Sequence, residues 1–266
     1  MTKELSILVK RLNELAPTEP DLIHWGSPVP SFGSLSSAKI ATLGLNPSNR
    51  EFVDSKGQEL AGNERRFHTL NSLGLNDWSQ VNEEHLTLIW NSCEQYFHKN
   101  PYDTWFKKLD ELISGTRMSY YFPSGKACHL DLIPYATACK WTDLTSEKKT
   151  FLLEAMGDSL GLLLNSSPIE LLVLNGKTVV ETLERISATT FEKTYMPDWT
   201  LPRKSGAGVA GFSYKGIIKK IGGIELCREI TILGYNHNIQ SSFGVTKQVQ
   251  LAIRKWIENS SKEVLQ

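Results

Sequence analysis

Four short apolar runs punctuate the chain: 39-KIATLGL-45, 127-ACHLDLIP-134, 169-IELLVLNG-176 and 229-EITILGY-235. Each is too short for a buried helix and apolar on both faces, the pattern of a strand covered on two sides. Between them the apolar positions recur at three- and four-residue spacing in 83-EEHLTLIWNSCEQYF-97, 103-DTWFKKLDELIS-114, 146-SEKKTFLLEAMGDSLGLLL-164 and 177-KTVVETLERI-186, and 245-VTKQVQLAIRKWIE-258 closes the series. Strands alternating with amphipathic helices predict a three-layer α/β/α domain around a central four-stranded, mainly parallel sheet. One domain over residues 1–266 accommodates this, preceded by a helical extension at the N-terminus.

In sheets of this kind ligands bind outside the carboxyl ends of the strands. Those ends read GLNPS, HLDLIPYAT, LNGKT and GYNHNIQSSFG, and they carry Asn46, Asp131 and the run Asn236, His237, Asn238 just past the apolar residues. Asn and Asp at such places often only make turns and cap helices. Polar groups at several neighbouring strand ends, facing one crevice, point instead to a binding site.

Composition narrows the classes. With 29 Lys+Arg against 29 Asp+Glu the chain has no net field to draw it to a polyanion, so any such contact must be a local patch. The N-terminus MTKELSILVKRLNEL has no apolar signal region, and no run approaches a membrane span, which leads us to expect a cytoplasmic protein. Cys93, Cys128, Cys139 and Cys227 are far apart and form no C-x-x-C pair, which suits neither zinc nor an iron–sulfur cluster. A phosphate loop of the form G-x-x-x-x-G-K-[ST] is missing, as is a carboxylate cluster for magnesium. No heptad or apolar stripe calls for an oligomer, and a monomer is the default.

The pair of motifs GLNPS and, after the last strand, His-Asn-x-Gln-Ser-Ser resembles the two active-site motifs of the uracil-DNA glycosylase superfamily. The resemblance covers the sheet and both loops, about half the chain; segments near 53–125 and 187–228 are longer than in a minimal member. It implies a monofunctional glycosylase acting on DNA without metal or other cofactor, which flips a base out of the duplex and leaves an abasic site. Asn46 would hold the hydrolytic water and His237 would donate to the O2 side of the departing pyrimidine. No lysine lies in the matched motifs, against a Schiff-base lyase.

By the same resemblance, the residue ending the second strand reads the base. Uracil-specific relatives have an Asn there; this chain has Asp131, which only accepts and so suits the N4 amine of cytosine. Uracil-specific relatives also place a Tyr soon after the first motif, blocking the pyrimidine 5-position, where this chain has Ser48 and Asn49. Removing ordinary cytosine would destroy the host genome, so a 5-substituted cytosine is expected, hydroxymethylated or glucosylated as in some phage genomes, making the enzyme an antiphage defence.

Phe52 and Phe67 are the candidates for stacking on the base, with Tyr135 packing beside it after Asp131. The second loop, with Asn238, Gln240, Ser241 and Ser242, would enter the minor groove with Gln240 as its wedge. The glycine-rich stretch 202-PRKSGAGVAGFSYKGIIKK-220 carries Arg203 and Lys204 and no acid, and reads as a phosphate-contacting loop; Lys177 meets a phosphate or solvent. Arg65 and Arg66 fit either DNA contact or a solvated helix face. Two other readings stay open on the residues alone: a repair glycosylase for uracil or mismatches with a structural Asp131, and a non-catalytic nucleic-acid-binding domain.

Overall fold

The computed structural model describes residues 2–15, 17–203, 208–240 and 244–265. In chain order the helices are α1 (Thr2–Leu15), α2 (Leu70–Leu73), α3 (Glu83–Glu94), α4 (Asp103–Ile113), α5 (Ser146–Met156), α6 (Ser159–Asn165), α7 (Lys177–Ser187) and α8 (Lys247–Ser261). The strands are β1 (Ile40–Gly44), β2 (Ala127–Asp131), β3 (Leu171–Asn175), β4 (Glu192–Tyr195), β5 (Phe212–Ile221) and β6 (Ile224–Tyr235).

Six strands, not four, form one mixed sheet in the order β2-β1-β3-β6-β5-β4. The first four are parallel and are the apolar runs of the sequence. β4 and β5 add an antiparallel edge. β5 takes up the second half of the stretch 202–220 read as a basic loop, and its lysines are those of a half-solvated strand: Lys219 meets Glu229 at 2.5 Å and Lys220 meets Glu225 at 3.1 Å across the hairpin. The turn joining β5 to β6 is Gly222 and Gly223, both at positive φ (54° and 88°). At Gly222 a Cβ would stand 2.5 Å from the Asp158 backbone nitrogen, so only glycine lets this turn seat on the α5–α6 junction.

Side chains alternate between two apolar layers. Leu43, Leu130, Leu172 and Ile232 face α1, α3, α5, α6 and α7; Ile40, Ala127, Val173 and Leu233 face α4, α8 and an aromatic cluster built from Phe32, Phe52, Phe67, Tyr96 and Phe106. Helices therefore cover both faces. The continuous helix expected over 146–164 breaks at Gly157, and Asp158 there takes both guanidinium nitrogens of Arg11 from α1, at 2.6 and 3.0 Å. Among the described residues no helix is long and apolar enough to cross a membrane.

The topology places a crevice. β2 lies on one side of β1 and β3 on the other. The chain leaving β1 enters the aromatic layer at Phe52, while the chain leaving β3 starts α7 on the opposite face. Strands whose continuations part to opposite faces are where sheets of this kind seat a ligand, and by that rule the carboxyl ends of β1, β2 and β3 form the candidate cleft.

Candidate active site

Asn46 and Asp131 come together through backbone. Gly44 pairs with Asp131, Leu132 and Ile133 donate to the carbonyls of Gly44 and Leu45 (3.2 and 3.0 Å), and Ser48 bridges to Thr137. The GLNPS turn and the turn after β2 thus run side by side. Asn46 Nδ2 donates to Thr137 Oγ1 at 2.9 Å and to the Pro47 carbonyl at 3.1 Å. Thr137 spends its own hydrogen on the Cys139 carbonyl at 2.7 Å, so its oxygen must accept from Asn46. That fixes the amide: both hydrogens point into the protein and Oδ1 is left to accept.

Asp131 is buried on the sheet face that carries Thr42, His129, Val173 and Tyr235. Its Oδ1 stands 3.4 Å from His129 Nε2. Room for both comes from Gly44, where a Cβ would lie 2.4 Å from Asp131 Oδ1 and 3.0 Å from His129 Nε2.

His237 arrives two residues after β6 and is buried. Its Nε2 is 2.7 Å from the Trp199 carbonyl, which only accepts, so Nε2 carries the hydrogen and donates it. Burial lowers its pKa, against the Trp199 bond, which raises it. A neutral ring tied in this way presents Nδ1 as an acceptor. The expected donation to a base oxygen is therefore not available until the ring leaves Trp199 or gains a proton.

Among the described residues of the second loop, Gln240 is also held inward. Asn238 is exposed and accepts from the Gln240 backbone at 3.0 Å, but the Gln240 side chain turns to Asn175, whose Nδ2 donates to Gln240 Oε1. A wedge pointing into DNA is not how Gln240 stands, because the end of β3 offers it a buried amide partner. Asn175 was not singled out from the sequence; its Oδ1 accepts from Tyr235 at 3.0 Å, closing the β3–β6 end of the cleft. Ser241, Ser242 and Lys204 lie outside the described residues. Arg203 is exposed, and Lys177 is exposed at the start of α7 with Glu181 at 3.4 Å, one turn on.

Ser48 is exposed and caps the turn Asn49–Glu51, accepting from the Arg50 backbone at 3.2 Å. Phe52 and Phe67 are both fully buried: Phe67 stacks on Tyr96 (centroids 5.2 Å, 13°), and Phe52 meets the edge of the half-buried Trp25 at 6.0 Å. Tyr135 is elsewhere. It packs in the opposite layer and donates to the Leu8 carbonyl of α1 at 2.9 Å, because the turn after Asp131 swings through the sheet end to the other face. Tyr135→Phe is expected to cost about 1 kcal/mol of stability for the lost buried bond. Thermal unfolding checks this.

Arg66 is no solvated helix residue: it donates to the Asn100 and Arg50 carbonyls, both at 2.7 Å. Its Nε is 3.8 Å from the carboxyl of Glu51, a residue with no signal in the sequence. Glu51 is 3% exposed and accepts from Tyr96 at 2.8 Å. Burial pushes it from 4.5 up to about 7, with the charge of Asp131 adding to the rise and Arg66 and Tyr96 opposing it. A carboxyl raised in the folded state stabilises it fully below the unfolded pKa, and that stability is lost as pH climbs through about 7. The contribution is about 3 kcal/mol for a shift of this size. Between pH 5 and pH 8 the wild type should lose stability that Glu51→Gln does not, read as the difference in denaturation midpoints.

Among the described residues no group of three or more His, Cys, Asp or Glu side chains could hold a metal ion. No protein-family model matches the chain, and no curated protein matches it significantly.

Proposed function

We propose that this chain is a monofunctional DNA glycosylase that flips out a pyrimidine, most specifically a 5-substituted cytosine, and hydrolyses its glycosidic bond. The observation that carries the reading is that the turns after β1 and β2 run side by side, so that Asn46, whose fixed amide leaves Oδ1 to accept, and Asp131 stand at neighbouring strand ends. Hydrolysis needs a water aimed at the sugar carbon, and Asn46 Oδ1 accepts one of its hydrogens. The water oxygen bonds C1′ as the bonding pair leaves with N1 of the base, and the released proton goes to that base. An abasic site remains.

Asp131 accepts from the exocyclic amine of the base. Phe52, on the same loop as Asn46, supplies the aromatic face once the base enters. The small exposed Ser48 leaves the 5-position open, which suits a hydroxymethyl or glucosyl-hydroxymethyl group as found in phage DNA and gives the enzyme a defensive role. His237 assists departure after its ring releases the Trp199 carbonyl.

The test is base release, followed by alkaline strand cleavage, on matched duplexes carrying uracil, cytosine, 5-hydroxymethylcytosine or its glucosylated form. Release of a modified cytosine alone supports the proposal. Release of uracil alone returns the chain to repair, and no release from any duplex leaves a binding domain.

A further inference from the structure

Three buried polar groups behind the cleft have no part in the chemistry described so far. Thr42 on β1 and His129 on β2 are register partners on the face that carries Asp131. Tyr120, from the segment before β2, reaches Thr42 Oγ1 at 2.5 Å, and Thr42 Oγ1 lies 2.6 Å from His129 Nδ1. His129 Nε2 then faces Asp131 at 3.4 Å. Tyr120, Thr42 and His129 are each no more than 3% exposed, and Phe32, Trp105 and Phe106 wall the imidazole with ring centroids 4.9–5.5 Å away.

With a neutral imidazole facing a carboxylate, the row has one consistent sense of donation. A carboxylate only accepts, so the nitrogen facing it carries hydrogen; Nδ1 is then bare and accepts from Thr42, whose oxygen accepts from Tyr120. The opposite sense would set the lone pair of Nε2 against Asp131. That arrangement is tolerable only if Asp131 itself carries hydrogen. The polarity of Asp131 and the tautomer of His129 are thus linked, and Tyr120 and Thr42 bias the pair from behind.

We propose that Tyr120, Thr42 and His129 form a positioning relay that keeps hydrogen on His129 Nε2 and so holds Asp131 as an acceptor, which fixes the class of base edge the cleft reads. The inference rests on the glycosylase reading above. It assigns specificity for an amine over a carbonyl at the pyrimidine 4-position to residues that never touch the base. Glu51, its carboxyl pushed up to about 7 by burial, is mostly protonated in mildly acidic solution and there adds little negative charge against Asp131.

The test compares 5-hydroxymethylcytosine with 5-hydroxymethyluracil in the same duplex, two bases that differ at the 4-position group and in the N3 hydrogen that goes with it. Thr42→Val keeps a β-branched strand residue of the same shape but removes the donor to Nδ1. It should lower the amine-to-carbonyl ratio of kcat/KM at least about tenfold, the size of one discriminating hydrogen bond. His129→Gln, which brings its own N–H toward Asp131, should retain more of that ratio than His129→Leu. A merely structural role would reduce both substrates in parallel, and an unchanged ratio in Thr42→Val overturns the proposal. Nitrogen-15 spectra of the imidazole supply a readout independent of turnover: Nε2–H in the wild type is expected, and Nδ1–H overturns the relay whatever the activity. If the wild type releases no base, the glycosylase reading fails and the specificity role falls with it, while the spectrum still reports the tautomer.

Discussion

Asn46→Ala should lower base release by roughly two to three orders of magnitude, the usual consequence of removing a group that fixes a reacting water or a developing charge. The size of the loss follows from how completely the side chain is committed. Both amide hydrogens are spent, on Thr137 Oγ1 and the Pro47 carbonyl, and Thr137 cannot offer its own hydrogen because the Cys139 carbonyl holds it. The amide therefore cannot turn over, and Oδ1 is held ready as an acceptor. Stability should fall by only about 1 kcal/mol, since the residue is half-buried and the lost partners can take water. Single-turnover release under saturating enzyme, beside a denaturation curve and a DNA-binding isotherm, separates these effects. Unchanged binding with lost release is the expected result, whereas retained release would remove Asn46 from the chemistry.

What the sequence showed of this fold depended on how each strand is buried. β1, β2 and β3 are covered on both faces, and full burial leaves a continuous apolar run that needs no partner to be recognised. β4 is exposed at all four residues, and β5 alternates buried Tyr214 and Ile218 with ion-paired lysines. Such a pattern is equally that of a basic loop. What makes it a strand is β6, whose first residues, Ile224 to Arg228, are themselves half-exposed and carry no apolar run. The break between α5 and α6 has the same character, since it depends on Arg11 meeting Asp158 from the far end of the chain.

The candidate site divides along a similar line. Asn46 and Asp131 were legible as candidates because each is a polar residue at the carboxyl end of a two-sided apolar strand, Asn46 two residues past β1 and Asp131 the last of β2, a local signal with a topological meaning. The state of His237 was not, because it is set by a carbonyl from Trp199 in the hairpin segment. Glu51 carried no signal in the sequence, because its burial depends on Tyr96 and Arg66, neither adjacent in sequence. Tyr135 misled for the converse reason. Four residues from Asp131 along the chain, it lies on the other side of the sheet. Proximity in sequence past a strand end says little about which face a side chain reaches.

Asp131→Asn should exchange the base that the cleft accepts. The substitution is isosteric, so Gly44 leaves room for it as it does for the aspartate, and the sheet face should be kept. The amide differs in having one acceptor and one donor end. With hydrogen on His129 Nε2, as proposed above, the ring attracts the amide oxygen to the place now held by Oδ1, 3.4 Å away, and turns the amide nitrogen toward the base. A site that accepted from an N4 amine would then present a donor, and the complementary group is the O4 of a uracil-type base. A mispaired hydrogen-bonding site of this kind forfeits far more than the same site loses on a missing methylene, because two like groups face each other out of water. Release of a 5-substituted cytosine should fall by at least about a hundredfold and release of uracil or 5-hydroxymethyluracil should rise, measured as kcat/KM on each. Equal losses on both bases would show that Asp131 supports the strand end without reading the base. A switch that also requires His129, so that His129→Leu abolishes the difference between Asp131 and its Asn variant, would tie the carboxylate's meaning to the hydrogen behind it.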